Sequence, residues 1–214
     1  MTSLSSLLKD SPCPEKLLSE RGYVYIAGVD EVGRGPLAGP VVAGAVIFPC
    51  SWTHPAIRDS KQLTEKKREQ LYAVISEAAL AWSWAAVDHR EIDRINILQA
   101  SLKAMQGAVE ALPLTPDYLL IDGIYPIASV IPQTPLIKGD QRSLATAAAS
   151  IMAKVTRDTM MKQYHEQYPQ YNFARNKGYG TREHFRALAS CGPSPIHRQS
   201  FMHGPTFLTS ACHD

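Results

Sequence analysis

A chain of 214 residues, 45% of them hydrophobic, is long enough to bury a full core and is most simply one domain. Its formal charge of +2 and pI near 8.3 exclude a purely electrostatic nucleic-acid coat, so any anion-binding face must come from local clustering. No apolar run approaches the roughly 20 residues that span a bilayer, Cys13, Cys50, Cys191 and Cys212 form no CxxC pair, and the N-terminus lacks signal-peptide character, so a soluble cytoplasmic protein with reduced thiols is expected.

Residues 1–22 read as a lead, poorly ordered to Pro14 and then helical for a turn or two. Residues 23–29 read as a strand, 33–39 as a loop, and 40–48 as a second strand whose β-branched, uncharged content argues for burial. Gly44 within it marks close backbone packing. Thr64 can cap a charged helix running to about Leu80, with Leu71, Val74, Ile75 and Ala78 as its apolar stripe. Residues 81–87 alternate as a third, half-exposed strand, in which Trp82 and Trp84 read as packing rather than a base-stacking platform. Helices over about 89–94 and 96–111 follow, stopped by Pro113 and Pro116. Residues 118–121 form a short strand ending at Asp122-Gly123, and 136–138 another leading to Asp140. The longest helix runs from Ser143 to about Tyr168, with Leu144, Ala148, Ile151 and Val155 on one stripe and alanines suited to lying on a sheet. A basic, glycine-rich loop then reaches Thr181, which can cap a last helix to Ala189. From Gln170 onward, Arg175, Lys177, Arg182, Arg186 and Arg198 stand against only Glu183 and Asp214. Strands alternating with helices predict an α/β domain with a mixed sheet.

The stretch that organises the rest is Gly28-Val29-Asp30-Glu31-Val32-Gly33-Arg34-Gly35, an apolar run ending in two carboxylates and a Gly-Arg-Gly turn. Neighbouring side chains of a strand point to opposite faces, so Asp30 and Glu31 share one site only if the backbone departs from the pleat. Carboxylates followed by glycine N–H groups and an arginine can hold a hard cation beside a phosphate. Asp122 and Asp140 also sit at or just past strand ends, where the carboxyl edge of a sheet commonly gathers a site. Two carboxylates about 4 Å apart repel by on the order of 4 kcal/mol at an effective dielectric near 20, so a cluster of four wants cations or raised pKa values. Oxygen-only ligands select Mg²⁺ or Mn²⁺, and no His/Cys set stands at zinc spacing. Each aspartate alone has a plainer reading, Asp122 as a turn residue before Gly123 and Asp140 as a helix cap.

The whole stretch GVDEVGRGPLAGPVVAGAV, residues 28–46, closely resembles the N-terminal signature of bacterial ribonuclease HII. LLIDG (119–123), KGD (138–140), AAASIMAKVTRD (147–158) and KGYGT (177–181) follow in that family's order, and the likeness runs to Phe201. The resemblance implies a ribonuclease H-like catalytic domain over 23–168, with the Asp30 strand central and the Asp122 strand beside it. A small C-terminal helical, substrate-binding segment over 169–214 would follow. It implies a hydrolase that cuts the RNA strand of RNA/DNA hybrids, and cuts at ribonucleotides embedded in duplex DNA, leaving 5′-phosphate and 3′-hydroxyl ends. Two Mg²⁺ or Mn²⁺ ions would serve, Asp30 bridging both, Asp122 holding one, Asp140 the other, and Glu31 completing the set through its side chain or carbonyl. Gly33, Arg34 and Gly35 would grip the ribose, Tyr179 would pack on the neighbouring deoxyribose, and Lys61, Lys154, Arg157 and Arg198 would hold phosphates. The chain departs from the family's commonest pattern at Gln62, Ile124 and Cys191, where lysine, asparagine and histidine are usual. A monomer is expected. Two other functions stay open on the residues alone: another metal-dependent nuclease of the same fold type, and a non-catalytic hybrid-binding module.

Overall fold

The computed structural model describes residues 3–57 and 63–202. Ser3 caps the first helix, α1 (Leu4–Asp10), by accepting the Ser6 N–H, and α2 (Pro14–Ser19) begins on a proline that needs no N–H partner. The lead is thus helical where a poorly ordered segment is expected. Leu4 and Leu8, one turn apart, pack with Leu18 against Ile26, Tyr118, Leu120 and Leu136. The Arg142 guanidinium also donates to the Leu8 and Ser11 carbonyls at 2.9 Å, closing the end of α1. An i,i+4 leucine pair, with Leu8 fully and Leu4 partly buried, outweighs the serine-rich composition.

The strands are β1 (Ile26–Val32), β2 (Val41–Ile47), β3 (Ala81–Val87), β4 (Tyr118–Asp122) and β5 (Gln133–Leu136). Between β2 and β3 lies α3 (Glu65–Ala78), capped by Thr64, and between β3 and β4 lie α4 (His89–Ile95) and α5 (Ile97–Glu110). After β5 come α6 (Gly139–Arg142), α7 (Leu144–Gln167), a 3-10 turn (Pro169–Tyr171), α8 (Phe173–Asn176), α9 (Arg182–Cys191) and a last 3-10 turn (Gln199–Phe201). Lys138 does not extend a strand: it takes a left-handed conformation (φ 55°) and launches α6.

The strands form one mixed sheet in the order β3-β2-β1-β4-β5, with β1 antiparallel to β2 and parallel to β4. The Asp30 strand is central and the Asp122 strand adjoins it, as the resemblance implies. α7 and α3 cover one face around Val46, Leu71, Ile75, Ala148 and Ile151, and α5 covers the other around Val29, Ala43, Ala104 and Met105. Two glycines set how close α7 lies. A Cβ at Gly28 would fall 2.1 Å from the Ala145 carbonyl carbon, and one at Gly44 would fall 2.6 Å from the Ala149 carbonyl oxygen. Its alanines complete that contact, so the sheet's central strand is held against a rigid helix and its side chains have little room to wander. The C-terminal elements gather a smaller core of Ala38, Met161, Tyr171, Phe173, Leu188 and Ile196. Among the described residues, no helix is long and apolar enough to cross a membrane.

Candidate active site

β1 stays in register with β2 through Glu31 opposite Ala43 and Val32 opposite Val42, while its pairing with β4 ends at Val29 opposite Ile121. The ladder therefore does not break at Asp30-Glu31, as a shared site was expected to require. Instead β1 and β4 part company, and a crevice opens at their carboxyl ends. One oxygen each of Asp30, Glu31 and Asp122 lie there within 4.8 Å of one another. They border a cleft of about 380 Å³ with Arg68, Ser150, Lys154 and Tyr179.

Burial pushes the Asp30 carboxyl well above the usual carboxylate range, and the Asp122 and Glu31 charges push it further; hydrogen bonds from Ser150 and from the Glu31 N–H (2.7 Å) oppose this. Burial also raises Glu31, against the pull of Arg34, whose Nη1 donates to Oε1 at 3.1 Å. The other oxygen, Glu31 Oε2, is buried with no hydrogen-bond partner. Repelling carboxylates and an orphaned oxygen are the donor set a hard divalent cation satisfies. Asp140 stands apart. It is buried at the start of α6 and lies outside the group of three, although the N–H of its neighbour Gly139 donates to Asp122 Oδ1 at 2.6 Å. The fold brings together three of the four carboxylates singled out in the sequence.

Beside the cleft, the Gly-Arg-Gly turn meets the KGYGT loop. The Leu37 N–H donates to the Gly178 carbonyl at 2.8 Å, and a Cβ at Gly35 would lie 3.7 Å from the Tyr179 ring, which is itself 42% exposed. Two arginines expected to hold phosphates are instead fully buried behind this turn. Arg198 donates to the carbonyls of Gly33 (2.6 Å), Arg34 (2.9 Å) and Gly39 (3.0 Å), and Arg157 to those of Pro40, Lys177 and Ala38. Gly33 is obligatory there, because its φ of 94° is left-handed and a Cβ would fall 2.2 Å from Arg157 Nε. Burial lowers Arg157 to about 10 and Arg198 to about 9, so both remain cations at neutral pH. Their forked donors organise a loop from within rather than reaching a ligand.

Lys154 borders the cleft and donates to Asp158 Oδ1 at 2.7 Å. Lys61 and Gln62 lie outside the described residues. Ile124 and Cys191 are exposed. Two lining residues escape the sequence reading, Ser150 and Arg68. Ser150 is the one polar residue of AAASIMA, a weak signal in an otherwise apolar turn; Arg68 follows the Thr64 cap by one turn and donates to the Leu63 carbonyl, with nothing in sequence to aim it at the carboxylates.

Residues 27–204 match the family model described as Ribonuclease HII. The chain belongs to the ribonuclease HII family. It is 54% identical over 187 residues to the ribonuclease HII of Geobacter sulfurreducens, covering 87% of this chain and 86% of that one. The ribonuclease HII of Caldanaerobacter subterraneus is likewise 54% identical, over 88% of this chain and 78% of its own. The crystal structure of the ribonuclease H2 from Pyrococcus horikoshii superposes with a TM-score of 0.71 at 25% identity, covering 87% of this chain and 96% of that chain. As a ribonuclease HII the protein is a hydrolase, an endonuclease of the ribonuclease H type.

Proposed function

We propose that the protein hydrolyses the RNA strand of RNA/DNA hybrids and cuts at ribonucleotides embedded in duplex DNA, at the cleft where β1 and β4 diverge. The observation that carries this is the triad of Asp30, Glu31 and Asp122 oxygens within 4.8 Å, bordered by the cations Arg68 and Lys154 and by Tyr179. Asp30, Glu31 and Asp122 would hold Mg²⁺ or Mn²⁺, with Asp140 assigned to a second ion on the family resemblance. Bound there, such ions supply activation of a water and stabilisation of the leaving 3′-oxygen, which leaves 5′-phosphate and 3′-hydroxyl ends. The chain's own groups do the rest. Arg68 and Lys154 draw the scissile phosphate into a crevice whose carboxylates would otherwise repel it. Ser150 fixes the Asp30 carboxylate by hydrogen bonding, so the ligand oxygen is oriented before substrate arrives.

Metals meet the same phosphates in DNA and RNA, so the choice between them must fall on groups that reach the 2′-hydroxyl. Gly33-Arg34-Gly35 and Tyr179, which meet beside the cleft, would make that choice. The turn's carbonyls are pulled back by Arg198, and with no Cβ at Gly35 a sugar edge can approach the backbone. Cleavage of a continuous RNA/DNA hybrid, of duplex DNA with one ribonucleotide and of all-DNA duplex, with either ion or with chelator, tests the reading. The first two should be cut only when the ion is present. Cutting of the all-DNA duplex, or undiminished activity in chelator, would sink it.

A further inference from the structure

Behind Tyr179 lies a second constellation that the cleavage chemistry does not use. His184, in the first turn of α9, and His197, before the last 3-10 turn, are buried and face each other Nε2 to Nε2 at 2.9 Å. Tyr171 and Phe173 enclose them, with ring centroids 5.0 Å from His197 and 5.5 Å from His184 respectively. Each outer nitrogen meets the backbone. His197 Nδ1 faces the Ser194 N–H at 2.8 Å, and His184 Nδ1 faces the Tyr179 carbonyl at 2.8 Å.

Those two backbone groups dictate every proton between them. A backbone N–H only donates, so His197 Nδ1 must be bare, and the Ser194 hydroxyl, also 2.8 Å away, must donate to it as well. A neutral His197 then carries its proton on Nε2 and donates it to a bare His184 Nε2. His184 is left with its proton on Nδ1, and donates it to the Tyr179 carbonyl. The result is a one-way chain from Ser194 to Tyr179 with no free acceptor inside it. A further proton on His197 Nδ1 would confront the Ser194 N–H, and one on His184 Nε2 would set two N–H groups against each other at 2.9 Å. Either ends the chain.

We propose that His184 and His197 are positioning residues, a neutral pair of fixed tautomers that holds the Tyr179 backbone, and so its ring beside Gly35, and lets it go when the pair takes up a proton. The inference rests, for its bearing on cleavage, on the reading of Tyr179 as a sugar-facing residue. The groups acting on the pair are consistent with its neutral state. Burial lowers both imidazoles, His197 to about 4, helped by the charges of His184 and of His89 of α4, while the Tyr179 carbonyl pulls His184 the other way. Tyr171 from the preceding 3-10 turn faces both rings, and Arg198, next in chain to His197, turns its guanidinium into the Gly-Arg-Gly carbonyls instead. Because both folded imidazoles lie below their ordinary value near 6.5, the pair's contribution to stability is whole above that value. It is lost as the pH falls toward about 4.

The test uses the full chain labelled with ¹⁵N-histidine and ¹³C-tyrosine, followed by NMR across pH. At neutral pH His184 should be protonated only on Nδ1 and His197 only on Nε2, and on acidification both imidazoles and the Tyr179 ring should change with one midpoint. H184N, whose amide can place an N–H where Nδ1–H stood, should keep the Tyr179 ring signals near their wild-type positions, and H184A should shift them. The reverse tautomers, a charged ring at neutral pH, or a Tyr179 ring that ignores the imidazole transition would overturn the coupling; the wild-type titration decides this even if H184A does not fold. Cleavage at a single embedded ribonucleotide separates the underlying reading. Y179A should weaken it about tenfold, the scale of one aromatic contact, with H184A matching that loss in KM and H184N restoring it. If Y179A leaves cleavage unchanged, the sugar-facing role falls while the NMR result still judges the coupling. A folded H184A that cleaves normally where Y179A does not would overturn the positioning role.

Discussion

The carboxylate crevice and the Gly-Arg-Gly turn lie side by side yet solve opposite electrostatic problems. In the crevice, three acids converge, Arg34 pairs only with Glu31, Arg68 and Lys154 stand at the border, and burial drives Asp30 and Glu31 toward their protonated forms. In the turn, two buried guanidiniums converge, and the hydrogen bonds they donate go to backbone carbonyls. The first region keeps mutually repelling acids and the unpartnered Glu31 Oε2 together and so is poised for ions; the second is satisfied by its own chain and so is finished before substrate arrives. A site that needs a ligand and a site that needs a fixed shape thus carry different signatures in burial and hydrogen bonding, even a few residues apart.

The sharpest way to break this contrast is to remove one acid. Asp30→Asn should cost cleavage about a thousandfold or more, the scale of losing a group that acts where charge develops. Stability without metal should be unchanged or higher, because the substitution relieves repulsion that the fold itself does not compensate. Parallel cleavage assays and thermal melts in chelator check both halves, and a clear fall in metal-free melting temperature would contradict the reading of the crevice.

The turn should answer in the opposite sense. Arg198→Ala strips donors from the Gly33, Arg34 and Gly39 carbonyls, and buried carbonyls left unpaired should lower stability by about 3 kcal/mol. Arg198→Lys should recover little of this, because one ammonium cannot reproduce a fork aimed at three oxygens. Denaturant unfolding gives the number. A loss within experimental error of wild type would mean that the loop keeps its shape without the guanidinium.

These two regions also differ in how far the sequence discloses them. Asp30, Glu31 and Asp122 are legible because strand ends and acidic pairs are local features, and the ordered motifs added the strand order that pattern alone does not give. What brings Glu31 to the site was not legible. The neighbour relation of β1 and β4 is non-local, and it is their parting after Val29, not a break in the pleat, that opens the crevice. The surroundings of Arg157 and Arg198 were hidden for a related reason: a basic residue on a helix or in a basic loop reads as solvated, and only the packed fold turns these guanidiniums to carbonyls, among them those of Pro40 and Gly39, more than a hundred positions away. Leu4 and Leu8 were hidden by serine-rich surroundings, and Arg68 by the charged helix that carries it.

Metal binding measures the crevice more gently. Millimolar Mg²⁺ or Mn²⁺ should raise the melting temperature of the wild type by several degrees, since a ligand at a hundred times its Kd adds about 2.7 kcal/mol if it binds only the folded state. Asp30→Asn should abolish the shift, and Arg198→Ala should keep it on a lower baseline. If neither ion moves the wild-type melt, the three carboxylates do not form an ion site without substrate phosphate.

The smallest expected effect is the most discriminating, because it asks what the exposed face of the finished turn is for. Tyr179 contributes little to the core: its ring is 42% exposed and its backbone is fixed independently, with its N–H donating to the Asn176 carbonyl and its carbonyl meeting His184. Tyr179→Ala should therefore leave the melting temperature and the metal shift almost unchanged. A single embedded ribonucleotide offers one register in which the turn can meet a 2′-hydroxyl while the ring covers the next sugar, whereas a continuous hybrid offers a ribose at every step. Loss of the ring should accordingly cut cleavage at the single ribonucleotide by about tenfold, and at the hybrid by less. The ratio of the two rates, measured with one metal and one salt concentration, isolates the ring from any general weakening of binding. Equal losses on both substrates would leave Tyr179 a general stacking contact and would place the recognition of the junction in the Gly-Arg-Gly backbone alone.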